Sequence, residues 1–256
     1  MTESALLSPV DKCANCGAAI APTHLYCGMC GQKSPTKRLR SHDVLHDLIH
    51  AFVHMDHSIF ALLRALILRP GVVAREYVNG HRKRYFGPFA FLVIVVGVAS
   101  IVMQATDFLI FSSNNSAAPR GNVIALFLQR NINLVILLQV PIIAAVCALL
   151  FRQQKLHYVE HVVLAAYMSG IRSLFFIVAI IPLWYLVRPT GYALWLTYAY
   201  LMLWAVYFGY GASGFYTGHR GWLWVKGVLA AVFTQAITIA IVSVVSFIYF
   251  RWVLPR

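Results

Sequence analysis

The sequence predicts an all-α polytopic membrane protein of about five transmembrane helices, preceded by an interfacial amphipathic helix and a small cysteine-rich module. Apolar residues make up 60% of the 256 residues and charged residues 11%, which is typical of a polytopic membrane protein and not of a soluble domain. Five apolar runs are long enough to cross a bilayer. Four of the five cysteines form two Cys-x2-Cys pairs near the N-terminus, which indicates a separate module there.

The two cysteine pairs, Cys13 with Cys16 and Cys27 with Cys30, have the spacing of a small zinc ribbon. Each pair is followed by a glycine, the residue that most readily supplies the positive φ of a tight metal-binding turn. Four thiolates make a closed tetrahedral site without an open position, so we expect one zinc ion with a structural role. Disulfide bonds are the alternative, but two such pairs in so short a module favour metal and a reducing compartment.

The chain divides into five segments by composition. We expect a flexible tail at residues 1–11, the zinc ribbon at 12–32, a basic linker at 33–40, amphipathic interfacial helices and a basic segment at 41–87, and a transmembrane domain at 88–256. The five predicted spans cover residues 88–110, 132–151, 162–187, 192–213 and 226–250. Pro141 and Pro182 are expected to kink the second and third spans.

The segment after the linker has the periodicity of an amphipathic helix, with Ser41 as a suitable N-cap. Its apolar residues fall on one side and its histidines on the other, so we expect it to lie on the membrane surface. Pro70 and Gly71 interrupt the helical pattern. The cluster Arg82–Arg84 (Arg82, Lys83 and Arg84) then precedes the first apolar run. We expect these three residues to contact anionic lipid headgroups of the inner leaflet, at about 1 kcal/mol per basic residue.

The distribution of basic residues predicts the orientation. Between Lys33 and Arg84 there are ten Lys and Arg residues against four acidic residues, so this side should be cytoplasmic. A net charge of +13 is typical of proteins whose partners carry negative charge. The sequence contains no recognised nucleic-acid-binding module, so membrane lipids with anionic headgroups are the expected partners and nucleic acid is not.

Several motifs resemble those of the bacterial membrane-protein family called domain of unknown function 3667. They are the ribbon (CANCG and YCGMCGQ), HAFVHMD at His50–Asp56, RPGVVAREYVNGHRKRYFGP at Arg69–Pro88 and HYVEHVVLAAYMSG at His157–Gly170. The resemblance runs from the N-terminus through the third predicted span. It implies a zinc ribbon fused to a multi-span helical domain, located in the bacterial inner membrane, and it supplies no established activity.

A second metal or proton site is one hypothesis for the histidines. The resemblance points to His50, His54 and Asp56, which could meet Glu160 and His161 where the third span enters the membrane. The sequence H-x-x-E-H at 157–161 has the form of an inverted zinc-protease signature, but no acidic residue follows it, so we do not expect a protease. The structural alternatives are a polar helix face at the headgroups and an ion pair at the helix end between Glu160 and either Lys155 or a residue of the basic cluster before the first span.

Arg172 is the third candidate, because it lies about ten residues into the third predicted span. A charged side chain at that depth costs free energy and is often kept for function. The functional hypothesis is an intramembrane site for an anion or a lipid. The structural alternative is an arginine whose hydrogen bonds are satisfied inside the bundle. The glutamines that could satisfy it are Gln104, Gln139 and Gln235.

Three functional classes follow from these candidates. The preferred class is a non-enzymatic binding, adaptor or regulatory protein whose ribbon docks an unknown cytoplasmic protein, because a closed metal site performs no chemistry and no catalytic residues are recognised. The first alternative is a small-solute or ion transporter that uses Arg172 and the kinked spans. The second alternative is a membrane metalloenzyme that uses the histidine and glutamate cluster.

Overall fold

The protein is described by a computed structural model that covers residues 11–21, 24–34, 36, 38–39, 58–106 and 132–252. All structural statements below concern these residues. The candidate ligands His50, His54 and Asp56 lie outside them, as do most of the amphipathic segment and the stretch between the first two spans.

The N-terminal module is a two-stranded ribbon with two similar turns. Strand β1 (Asp11–Lys12) pairs antiparallel with β2 (Ala19–Ile20). The amide of Gly17 donates to the carbonyl of Cys13 at 2.9 Å, and the amide of Gly31 donates to the carbonyl of Cys27 at 2.8 Å. Both glycines have positive φ, 75° and 67°, which a side chain would strain. The glycines therefore allow each cysteine pair to close the same kind of tight turn.

The rest of the described chain is helical, apart from its connecting turns. The helices are α1 (Ser58–Leu68), α2 (Pro70–Val78), α3 (Pro88–Ala105), α4 (Ile132–Leu150), α5 (Tyr158–Phe175), α6 (Ile181–Val187), α7 (Ala193–Phe215) and α8 (Arg220–Trp252). A π-helical segment, Phe176–Ile180, joins α5 to α6. It lies just before Pro182, whose missing amide prevents a regular α-helical hydrogen bond at this point.

Four segments are long and apolar enough to cross a membrane, counted over the described residues. They are Pro88–Ala105, Asn133–Leu150, Tyr158–Thr190 and Arg220–Val245. Helix α7, with 23 residues, is also long enough, but its tyrosines, tryptophans and glycines reduce its hydropathy. The predicted class of an all-α polytopic membrane protein with an N-terminal cysteine module is confirmed. The predicted count of five spans agrees roughly with these four segments and α7.

Helix α5 lies at the centre of the bundle and packs against α2, α3, α4 and α7. Nearly all of its residues from Glu160 to Ser173 are buried. Small residues permit the closest approaches between helices. A Cβ atom added to Gly71 in α2 would lie 2.6 Å from the backbone nitrogen of Phe215 in α7. A Cβ atom added to Gly227 in α8 would lie 2.8 Å from the Cα of Gly209 in α7.

Helix α1 ends where Pro70 begins α2, and tyrosines from α7 bond its last carbonyl groups. Tyr207 donates to the carbonyl of Leu66 at 2.5 Å, and Tyr210 donates to the carbonyl of Leu68 at 2.7 Å. The final turn of a helix leaves carbonyl groups without intrahelical partners, so these hydroxyl groups supply partners that solvent would otherwise provide. The α1–α2 break is therefore held against the bundle.

The membrane-length helices alternate in direction, so their termini lie at two opposite ends of the bundle. Phe151, after α4, stacks on Tyr216, after α7, with ring centroids 3.7 Å apart. Tyr167 in α5 donates to the carbonyl of Phe86, just before α3, at 2.8 Å. We call the end of the bundle that contains Phe86, Phe151 and Tyr216 the ribbon end, because the ribbon also contacts it. At the opposite end Tyr185 in α6 donates to the carbonyl of Thr106.

Candidate metal centre and its junction with the helices

The four ribbon cysteines converge on one point. The Sγ atoms of Cys13 and Cys30 are 3.5 Å apart, those of Cys16 and Cys27 are 3.6 Å apart, and all four lie within 4.8 Å of one another. Sulfur atoms about 2.3 Å from a central ion in a tetrahedral site lie about 3.8 Å from each other. The group is therefore able to hold one metal ion, as the spacing predicted. Within the described ranges it is the one group of three or more His, Cys, Asp or Glu residues that does so.

The surroundings shift the pKa values of two of the four thiols in opposite directions. The backbone N–H of Ala18 favours the Cys16 thiolate, but desolvation and the neighbouring thiols outweigh it and raise the pKa of Cys16 to about 12. Burial works against ionisation of Cys30, but the Gln32 backbone and the Asn15 side chain lower the pKa of that thiol. A metal ion that binds thiolates must displace the remaining protons, so its affinity falls as the pH falls.

An ion pair joins the ribbon's linker to the central helix. The Arg38 guanidinium donates to both carboxylate oxygens of Glu160, from Nε at 2.6 Å and from Nη2 at 2.8 Å. Nη2 also donates to the carbonyl of Lys155 at 3.2 Å. The Glu160 side chain is 3% exposed, and it accepts the His157 amide at 2.8 Å, which caps α5. The hydrogen bond to Glu160 raises the pKa of Arg38 above its ordinary value.

Two further contacts seat the ribbon on the bundle. Leu39 is 4% exposed and belongs to the main hydrophobic core of the helices. Gly80, in the turn after α2, has φ of 105°, and a Cβ atom placed there would lie 3.0 Å from Cγ2 of Thr36 and 3.3 Å from Cβ of Ala14. The ribbon therefore contacts the bundle through an ion pair, a buried leucine and a close approach at a glycine.

The described half of the predicted second metal site is engaged in other contacts. His161 is 2% exposed, and its Nδ1 lies 2.7 Å from the hydroxyl of Tyr216. Glu160 pairs with Arg38 instead of a histidine. An ion pair of Glu160 at the helix end was one predicted alternative, but neither predicted partner is the one found. The partner is Arg38 of the linker, not Lys155, whose carbonyl bonds the same arginine, and not the basic cluster, where Arg84 pairs with Glu76. Whether the histidines of residues 50–54 approach this point stays a prediction.

The basic cluster Arg82–Arg84 lies in the turn between α2 and α3. Lys83 is exposed and Arg82 is partly buried. Arg84 is half exposed and pairs with Glu76 at 3.4 Å. Tyr85 also donates to Glu76 at 2.8 Å, and burial together with that hydrogen bond raises the pKa of Tyr85. Glu76 therefore holds the turn in place and offsets part of its positive charge.

Arg172 lies where four helices converge. Its Nε donates to the hydroxyl of Tyr200 in α7 at 3.2 Å, and its Nη1 donates to Oε1 of Gln139 in α4 at 3.0 Å. Gln139 in turn donates to Oε1 of Gln235 in α8 at 3.4 Å. The guanidinium also lies 5.1 Å from the ring centroid of Trp204. Of the glutamines named from the sequence, Gln139 and Gln235 join this cluster, and Gln104 donates to Ser100.

Sequence reasoning missed Arg38, Leu39 and Tyr216. A signal for the first two is present in the linker, where Leu39 is an isolated apolar residue within KSPTKRLR. Single apolar residues are common in polar stretches, so this signal alone does not identify Leu39 as a buried contact. Tyr216 carries no comparable signal, because the chain contains 13 tyrosines and most lie in apolar runs.

Comparison with known proteins gives one match. Residues 56–99 match the model of a family described as "Protein of unknown function (DUF3667)", a stretch that includes α1, α2, the basic turn and most of α3. Comparison with curated proteins and with solved structures gives no match. The family match and the four-cysteine cluster together confirm the resemblance of this chain to the DUF3667 family.

Proposed function

We propose that the protein is a non-enzymatic membrane adaptor whose ribbon holds zinc and binds a cytoplasmic protein. The observation that carries this proposal is that the helices cover one side of the ribbon and leave apolar side chains on another side exposed. One side is seated on the helices through Arg38 and Leu39. The second cysteine turn instead leaves Leu25, Tyr26 and Met29 exposed by 68%, 59% and 82%. Such a patch on a module outside the spans is typical of a protein-interaction surface.

Zinc is the ion that best fits the proposed role. Four thiolates in a tetrahedral arrangement favour zinc or iron among the common ions, and zinc has no redox chemistry. The Sγ separations of 3.5 and 3.6 Å leave room for one central ion. Because all four positions are occupied by cysteine, the ion stabilises the two turns and leaves no position for a substrate.

The charges at the ribbon end support a cytoplasmic orientation of the ribbon. Arg152, Lys155, Arg220 and Lys226 lie at or near this end of the helices, together with the cluster Arg82–Arg84. By the positive-inside rule, that end faces the cytoplasm of a cell whose inner membrane holds the spans. In this orientation Arg82, Lys83 and Arg84 bind anionic headgroups, at about 1 kcal/mol per basic residue.

The chemistry of the partner follows from the surroundings of the exposed turn. Tyr26 forms an antiparallel bridge with Lys33, so the apolar turn borders a cavity of about 290 Å³. Lys12 and Lys33 both line this cavity, together with Ser34 and Thr36. Lysines beside bulky apolar side chains are complementary to a segment that carries both carboxylates and apolar residues. We therefore infer that the partner presents an acidic segment with at least one large apolar side chain.

A photo-crosslinking amino acid at position 29 tests the proposal in the native host. We expect one discrete protein adduct at that position, because the Met29 side chain is 82% exposed. The control is the same amino acid at Leu186, which is 73% exposed on α6 and should give lipid adducts instead. The protein adduct should disappear when the four ribbon cysteines are replaced by serine, because the turn then loses its metal.

Binding of the purified partner should depend on the positive charges of Lys12 and Lys33. The double variant Lys12→Glu and Lys33→Glu should weaken binding at least about tenfold, and added salt should weaken wild-type binding. Lys83→Glu is the matched control, because this exposed lysine lies in the membrane-proximal turn. An adduct that forms equally without the cysteines, or an affinity that ignores the lysine reversal, would contradict the proposal.

A further inference from the structure

Arg172 is placed near the middle of an apolar segment that spans Tyr158–Thr190. It lies 14 residues after Tyr158, which is about 21 Å along the helix. The π-helical segment Phe176–Ile180 begins one turn later, and such segments are frequent at functional sites. A charged side chain at this depth is expensive to retain and requires compensation.

The compensation within the described residues comes entirely from neutral groups. Arg172 donates to Tyr200 and Gln139, and it lies over the rings of Tyr200 and Trp204 at 5.6 and 5.1 Å. The acidic residues of the described helices are engaged elsewhere. Glu160 pairs with Arg38 about 18 Å away along α5, and Glu76 pairs with Arg84. The positive charge therefore has no carboxylate partner among the described residues.

The cluster also contains more donors than acceptors. An arginine has five N–H donors and no acceptor, and the bonds above use Nε and Nη1. Tyr200 and Gln235 each accept one bond, which leaves the tyrosine O–H and the Gln235 amide as donors without a described acceptor. An anion supplies the two things this cluster lacks, which are negative charge and acceptor atoms.

We propose that Arg172, Gln139, Tyr200 and Gln235 form a binding site for a small oxyanion inside the membrane-spanning bundle. A planar guanidinium binds a carboxylate or phosphate group through two parallel hydrogen bonds, which fixes the class of ligand. The oxyanion comes either from solution or from a lipid headgroup, since both present the same oxygen atoms. This site is separate from the ribbon and does not depend on the partner proposed above.

Binding is measured with the whole protein in dodecyl maltoside micelles, whose sugar headgroup carries no phosphate or carboxylate group. Sodium phosphate and sodium acetate, titrated calorimetrically at constant ionic strength, are the probes for a free anion. Native mass spectrometry with added phosphatidylglycerol is the probe for a lipid headgroup. If the protein binds phosphate or acetate but retains no phosphatidylglycerol, the ligand is a free anion. If it retains phosphatidylglycerol but binds neither small anion, the ligand is a lipid headgroup.

Variants of Arg172 distinguish an arginine that binds an anion from an arginine that only stabilises the bundle. We expect Arg172→Gln to weaken binding by about tenfold or more, and Arg172→Lys to weaken it less, because lysine keeps the charge but loses the planar fork. Arg188→Gln is the matched control, because Arg188 also lies over a tryptophan, Trp184, at 5.2 Å, but sits at the end of the span. This control should bind like the wild type.

Two results would overturn the proposal. The first is wild-type protein that binds neither the small anions nor phosphatidylglycerol. The second is an Arg172→Gln protein that has normal helix content by circular dichroism and binds like the wild type. If Arg172→Gln does not insert, the comparison of Arg172→Lys with wild type decides, and equal binding would again refute the site.

Discussion

Leu39→Ala should detach the ribbon from the helical bundle without unfolding either part. Leu39 is 4% exposed within the main core, so the substitution removes about three buried carbon atoms. At about 0.8 kcal/mol per methylene, the loss of transfer free energy is about 2.4 kcal/mol, and the cavity left behind adds to it. A change of 2.4 kcal/mol corresponds to about a fiftyfold larger population of the detached state.

Limited trypsin digestion measures that population, because cleavage after Arg38 requires the Arg38 side chain to leave Glu160. Where opening is fast relative to cleavage, the rate of cleavage tracks the open population. We expect the fragment that ends at Arg38, identified by mass spectrometry, to form about fiftyfold faster in Leu39→Ala. The control is Leu68→Ala, which alters a 60% exposed leucine on α1 and should leave the rate within about twofold of the wild type. Equal rates for Leu39→Ala and wild type would refute the seating of the ribbon.

Three further predictions concern helix packing, the α1–α2 break and the metal. Gly71→Ala should lower the melting temperature in detergent, because its Cβ would overlap the α7 backbone, whereas Gly97→Ala in open space on α3 should leave it unchanged or raise it. Tyr207→Phe should cost about 1 kcal/mol by leaving the Leu66 carbonyl without its partner, and Tyr198→Phe at an exposed position should cost less in the same melting assay. Metal content by mass spectrometry should fall as the pH is lowered, because protons compete for the thiolates, and a metal content that does not change with pH would contradict thiolate ligation.

The ribbon and the spans could be predicted because their signals are local. The cysteine spacing and the following glycines determine the two turns, and the apolar runs determine the helices. The start of α5 shows the limit of such reasoning. The third span was predicted from residue 162, but the helix begins at Tyr158 because the Glu160 side chain bonds the His157 amide. A buried carboxylate so close to the membrane is stable because Arg38 neutralises it.

Contacts between distant residues could not be predicted in the same way. Arg38 and Glu160 are separated by 122 residues, and Arg38 is one of eleven Lys and Arg residues that precede the first span. The partners of Arg172 were easier to predict than that pair, because glutamines are rare in apolar spans and few other groups there could hydrogen-bond the guanidinium. Even so, the sequence did not distinguish Gln139, which bonds the arginine directly, from Gln104, which bonds Ser100.

The metal content and the ligand set of the purified protein show whether the ribbon holds one structural zinc ion and the chain holds no second metal. We expect one zinc per chain, with an X-ray absorption spectrum of four sulfur ligands at about 2.3 Å. Both signals should vanish together when Cys13, Cys16, Cys27 and Cys30 are replaced by serine. A second metal ion with nitrogen and oxygen ligands, retained in that variant, would contradict a non-enzymatic adaptor and favour a metal site built from the histidines.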